Sequence, residues 1–247
     1  MGLGALLKDT LLHPRRAMIR LAAKPGRRWF APLLLLVLVT AAAAVSGLPA
    51  SKEYRDAVQR VAVERAMKAQ LESGAATQED VDRALAFTNN PAVTGIGVFF
   101  AILAPIVGVL IVAAIMHMMG TVLGGQQTFT QMFTVTTWAR LPIVFGLLVQ
   151  TVQHLMGGWD PNPRGLSGLV AVDPLAAEAQ KSYLGPLLAE IELWNLWYLG
   201  LLAIAVWAAA RLSGRKAVIA VLVYVALRVA LGEVGVVLSN LMSGFGG

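Results

Sequence analysis

The stretch RRAMIRLAAKPGRRWFAPLLLLVLVTAAAAVSGL, residues 15–48, sets a basic block directly against an apolar run. Seven of the eight charged residues in the first 28 are basic: Lys8, Arg15, Arg16, Arg20, Lys24, Arg27 and Arg28, against Asp9 alone. Their sum, +6, equals the formal net charge of the whole chain. The run from Trp29 to Leu48 has the roughly 20 apolar residues that a helix needs to cross a bilayer core. Flanking Lys and Arg stay on the cytoplasmic side, so the N-terminus is expected in the cytoplasm. A cleaved signal peptide fits poorly, because the basic and apolar regions are both longer than usual. Leu48 also stands where cleavage after Ala50 would want a small residue.

Four further runs are long and apolar enough to span, near 93–119, 138–156, 191–210 and 217–240. With 57% hydrophobic and 14% charged residues, the chain lies outside soluble usage, where about a quarter are charged. The expected fold is all-α: a polytopic membrane protein with five transmembrane helices, an external helical hairpin and a short internal interfacial helix. Residues 1–28 form a basic cytoplasmic amphipathic segment, 29–240 the membrane domain and 241–247 a short external tail. The external loop 49–92 holds six basic and seven acidic residues, while the internal link 120–137 is uncharged. Arg140 lies just inside the next span, and Arg211, Arg215 and Lys216 surround the last internal turn. Basic residues thus favour the short internal segments, which leaves the C-terminus outside.

The loop 49–92 has its own pattern. Lys52 to Leu71 is rich in good helix formers, Ser73-Gly74 breaks it, and Thr77 stands three before Asp80 as a helix start. Asn89, Asn90 and Pro91 end the second helix of this hairpin. Before the first span, Leu3, Leu6, Leu7, Thr10 and Leu11 recur at helical spacing. That segment either lies in the headgroup layer, attracting anionic lipid, or is a solvated terminus that sets topology.

In the internal link, Gly120, Gly124 and Gly125 loosen the chain before Thr128-Phe-Thr-Gln131, a capping box. Phe129, Met132 and Phe133 share one face, and Arg140 and Pro142 follow at the start of span three. A Thr-rich, uncharged helix with an aromatic face is expected at the interface or as a half-helix dipping inward. Thr128, Phe129, Gln131, Arg140 and Pro142 are therefore a candidate interface site. Trp194, Trp197 and Tyr198 read as an aromatic belt, with a cofactor or sugar platform as the sharper alternative.

Arg228 is the most expensive residue. Eleven residues into span five, it lies roughly 16 Å along the helix and is expected near the bilayer centre. Tyr224, Gly232, Gly235 and Ser239 share its face within about 40°, a small and polar surface suited to close packing. Glu233 is rotated roughly 140° away, so its partner is expected on another helix, backbone carbonyls freed by Pro105 included. Arg228 is then either a structural interhelical bond or a contact for lipid, anion or substrate. Gly97, Ala101, Ala104 and Gly108 form a small-residue stripe on span two.

With no cysteine there is no disulfide framework, thiolate metal site or cysteine nucleophile. His13, His117 and His154 are too scattered for metal ligation, and no nucleotide-binding or hydrolase motif occurs. No cofactor, catalytic residue or nucleic-acid partner is expected.

Several segments together are similar to bacterial members of the Yip family, named for Ypt/Rab-interacting membrane proteins. They are Leu12-His13-Pro14 before the basic segment; Gly124-Gly125 with Thr128-Phe129 and Gln131; Ala139 to Pro142; Ile191 to Leu199 with Ala203-Ile204; and Ser213 to Ala217. The resemblance implies a five-span helical protein with a cytoplasmic N-terminus. Eukaryotic relatives act in vesicle traffic and contact Rab GTPases and one another. This chain lacks their long cytoplasmic N-terminal region, so that role is not carried over. The expected function is a non-enzymatic protein of the bacterial inner membrane that organises membrane partners or lipids, with self-association into an oligomer. The alternative is a permease or lipid-translocating protein with a cavity near Arg228 and Pro105, although no inverted repeat is visible.

Overall fold

The structure, a computed structural model, describes residues 2–50, 52–88, 90–157, 165–170 and 182–244. Every regular element among them is helical. By length and composition five helical stretches can cross a membrane: Phe30–Pro49, Pro91–Val122, Phe129–Met156, Leu193–Ala210 and Gly214–Leu238.

Two short helices precede the first span. Proline has no N–H and suits the first position of a helix, so α1 (Leu3–Leu12) stops before His13 and α2 (Pro14–Ala23) starts afresh. Asp9 of α1 pairs with Arg20 of α2 at 2.8 Å. Ala17, Met18, Leu21 and Ala22 of α2 are buried against α7 (Phe129–Ala139) and α10 (Leu193–Ala210). Lys8, Arg15 and Arg16 remain exposed. The amphipathic segment is thus docked on the bundle through its second helix.

The first spanning helix, α3 (Phe30–Ala50), packs along α6 (Pro91–Val122) and α8 (Leu141–Gly157). Between α3 and α6 stands the helical hairpin, α4 (Lys52–Glu72) and α5 (Gln78–Thr88), with Ala76, Val81 and Leu85 buried at its seam. Gly74 takes φ +73° at the break, where a side chain would be strained. Asp80 accepts from both the N–H and the hydroxyl of Thr77 at 2.9 Å, holding the start of α5. Asn90 caps α6 by accepting from Ala92 N–H, while Asn89 lies outside the described residues.

At 32 residues, α6 is longer than the 27 expected between residues 93 and 119. Its far end closes in a Schellman motif, with Gly124 N–H donating to Thr121 and Gly125 N–H to Gly120. Gly124 supplies the left-handed turn at φ +91°. Lys216 Nζ donates to Leu123 O at 2.7 Å, so a cation from the first turn of α11 (Gly214–Gly244) also caps this helix end. These glycines therefore make a specific cap rather than a loose link.

The Thr-rich helix is α7, and its capping box is complete. It enters the bundle as the first half of span three, with Met132 and Thr134 to Ala139 buried. Burial is tolerable because Thr134, Thr136 and Thr137 hydroxyls donate to carbonyls four residues back at 2.7–2.8 Å. Pro142 cannot donate to the carbonyl of Trp138, so the helix breaks at Arg140 and resumes as α8.

α10 is the hub, touching α2, α6, α7, α8 and α11. The main core joins Met18, Leu21, Met116, Met132, Trp138, Leu202 and Val206, and a smaller one joins Leu36, Val39, Val109 and Val144. Tyr198 belongs to this interior rather than to a belt. With Asn195, Leu202, Ala205 and Ala209 it forms the buried stripe of α10, leaving Trp194 and Trp197 outside it. The stripe expected on α6 is mostly unpacked: Ala101 and Ala104 are exposed and a Cβ on Gly97 would meet nothing within 4 Å. The buried face of α6 lies further along, at Val109, Val112, Ala113, Met116 and Gly120.

In the third link only two pieces are described, a 3₁₀ turn (Gly165–Leu169) packed against α9 (Gly185–Ala189). Asp160, Arg164, Asp173, Glu178 and Lys181 of this link lie outside the described residues.

Candidate functional site

α11 carries Arg228 to the level of the first turn of α10, where it meets Glu190 and Asn195. Arg228 Nη2 lies 3.1 Å from Glu190 Oε1, and Nη1 donates to Asn195 Oδ1 at 3.3 Å. Asn195 Nδ2 in turn donates to Glu190 Oε2 at 2.9 Å and to its backbone oxygen at 2.8 Å. The three side chains close a ring in which each carboxylate oxygen and both ends of the amide are used. Tyr224, one turn earlier on α11, places its ring 5.5 Å from the guanidinium carbon.

The partner of Arg228 thus comes from the α9–α10 link and not from carbonyls near Pro105. Arg228, midway along α11, stands beside the first turn of α10, which begins two residues before Asn195. Its side chain keeps 39% of its exposure and that of Glu190 12%. Removing one partner should cost about 1–3 kcal/mol, below the buried-pair range because Arg228 is partly solvated.

The remaining residues of that helix face divide. A Cβ on Gly232 would come 2.8 Å from Pro186 Cβ, so this glycine lets α9 sit against α11. A Cβ on Gly235 would meet nothing within 4 Å. Ser239 is helical, and its side chain is outside the described residues.

The second candidate set spreads along α7. Thr128 and Gln131 form the cap, and Gln131 Nε2 also donates to Ala22 O at 3.0 Å. Trp138 Nε1 donates to Arg28 O at 3.0 Å. Two α7 side chains therefore hold backbone at the end of α2 and the start of span one. Phe129 is exposed and stacks on Phe133 at 6.1 Å, with His117 edge-on at 5.9 Å.

Arg140, at the α7–α8 joint, is the residue whose surroundings least resemble the expectation of an interface. Its guanidinium carbon is 5.7 Å from the Tyr198 ring centroid. It passes Gly108 of α6, where a Cβ would stand 3.5 Å from Nη2. Pro105 sits one turn before Gly108, and so belongs to this neighbourhood. Arg140 Nε is buried without a hydrogen bond, and the buried Tyr198 hydroxyl meets Tyr224 of α11. Among the described residues no carboxylate pairs with Arg140. A cation–π contact contributes about 0.5–2 kcal/mol, short of the at least about 2.5–3.5 kcal/mol that a mid-span arginine costs.

Sequence reasoning missed Glu190, Asn195 and the inward role of Tyr198. Asn195 and Tyr198 are polar groups at i,i+3 in an apolar span, which places them on one face and could have marked it. Glu190 stands just before the apolar run 191–210, with no spacing that ties it to Arg228. Elsewhere Ser46 Oγ and His154 Nδ1 lie 3.2 Å apart between α3 and α8, beside Gly47.

Residues 8–234 match the family model of the Yip1 domain. No curated protein and no solved structure matches the chain.

Proposed function

The chain belongs to the Yip family, and we propose that it is a non-enzymatic protein of the bacterial inner membrane that organises lipids and membrane partners. The N-terminus lies in the cytoplasm and the C-terminus outside. The observation that carries this reading is the docking of α2, which holds cationic side chains at a fixed place on a membrane-spanning bundle. His13, Pro14, Arg15 and Arg16 line a groove of about 340 Å³ whose remaining wall is Ile204 of α10. Cations beside an apolar wall suit an anionic lipid, whose headgroup meets the arginines while its chain follows the span. Exposed Gly97, Ala101 and Ala104 on α6 support self-association, since small residues allow close helix approach in lipid.

Cross-linking in native membranes from residues substituted at 97 and 101 tests the organising role. A repeated neighbour, self or other, is the expected result; a clean monomer without neighbours rejects it. A permease reading draws on the polar groups inside the bundle, Arg228, Asn195, Tyr224, Tyr198 and Arg140. Flux in reconstituted vesicles that Arg228→Gln abolishes would favour it, and equal leakage for both proteins would reject it.

A further inference from the structure

We propose that Arg140 and Tyr198 form an intramembrane site for a phosphate-type oxyanion. The inference rests on the bundle interior and is independent of the organising role. Two arginines penetrate the bundle, and they are treated differently. Arg228 has a carboxylate and an amide arranged around it. Arg140, close to the midpoint of its two-piece span, has a ring face, a glycine gap and no acid among the described residues.

Three features specify the ligand. Arg140 Nε–H is a buried donor with no acceptor. Tyr198 is 2% exposed, and its hydroxyl meets Tyr224 across the α10–α11 seam beside the guanidinium. A guanidinium only donates, so the species missing at Arg140 Nε is an acceptor. The uncompensated charge is positive, so the acceptor is an anion, and a guanidinium is best matched by the oxygens of phosphate or carboxylate. The absent Cβ of Gly108 leaves the guanidinium its place beside α6. A phosphate oxyanion can come from solution or from a phospholipid headgroup drawn into the bundle, and the chemistry at Arg140 is the same for both.

The test is thermal unfolding of the full chain in phospholipid-free detergent, on an Arg15→Gln/Arg16→Gln background that removes the arginines of the N-terminal groove. Inorganic phosphate is one probe and dihexanoyl phosphatidic acid the other, each against chloride at constant ionic strength. A probe present at about a hundredfold excess over its Kd should raise Tm by about 5–10 °C. A rise with phosphate identifies a free anion, and a rise only with the lipid identifies a headgroup. Arg140→Met should abolish the rise, and Tyr198→Phe should reduce it. If Arg140→Met does not fold, Gly108→Leu serves, because it crowds the guanidinium without removing it and should also abolish the rise. No rise with either probe, or a rise of equal size in Arg140→Met or Gly108→Leu, overturns the proposal.

Discussion

Arg228 on the last spanning helix reaches Glu190 on the link before α10 at 3.1 Å, and Asn195 fastens the same carboxylate from the other side. The contact joins α11 to the α9–α10 corner, elements more than thirty residues apart in the chain. Arg228→Gln and Glu190→Gln should each destabilise the protein by about 1–3 kcal/mol. The double variant should cost less than the sum, because each single change strands the other charge. Equilibrium unfolding of the four proteins in bicelles measures the coupling, and strict additivity would deny the pair.

A glycine in the C-terminal cap of α6 and one within the helix should respond in opposite directions. A Cβ on Gly125 would lie 2.5 Å from Gln127 Oε1 and 2.8 Å from both Ala210 Cβ and Gly120 O, two of them unable to swing away. Gly125→Ala should cost about 1–3 kcal/mol through overpacking. Gly97→Ala, in open space within a helix, should instead stabilise by up to about 1 kcal/mol. The same unfolding assay decides both signs.

The hairpin should loosen in acid at one point. The backbone N–H and hydroxyl of Thr77 hold the Asp80 carboxyl below its ordinary range, with Arg83 adding to the effect. A depressed carboxylate contributes stability above its unfolded pKa of about 3.9 and loses it as pH falls through the lower folded value. Hydrogen exchange at Thr77 N–H should therefore gain an acid-dependent opening below that pH, which Asp80→Ala removes by opening the turn at every pH. Identical pH profiles for the two proteins would contradict the assignment.

The N-terminal pair should detach when its two α7 anchors are cut. Gln131→Met and Trp138→Phe remove the bonds to Ala22 O and Arg28 O. At about 1 kcal/mol each, the pair of changes should speed trypsin cleavage at Arg27 and Arg28 by roughly tenfold or more. An unchanged cleavage rate would show that apolar packing of Met18 and Leu21 alone holds α2.

Long uniform periodicities were legible in the chain: the five apolar stretches, the hairpin with its Thr77–Asp80 start, and the Thr128–Gln131 box. Each depends on residues close in sequence. What escaped depends on which helix faces which. Glu190 looks like any loop acid until α11 brings Arg228 over it. Tyr198 reads as a belt residue until the buried stripe of α10 claims it. The Gly97–Gly108 stripe has the composition of a packing face, yet neighbours reach only its Gly108 end, because the chain's other helices crowd the opposite half of α6. Composition reports that a face is suited to contact, and only the assembled bundle says whether contact is made there.

Lipid retention measures most directly whether the docked N-terminal pair seats anionic lipid. Native mass spectrometry of the protein released from nanodiscs containing equal phosphatidylglycerol and phosphatidylcholine would compare wild type with Arg15→Gln/Arg16→Gln. The account predicts preferential retention of phosphatidylglycerol by wild type and a clear loss of that preference in the variant, consistent with about 1 kcal/mol per basic residue at the surface. Equal retention of the two lipids by wild type, or an undiminished preference in the variant, would contradict it.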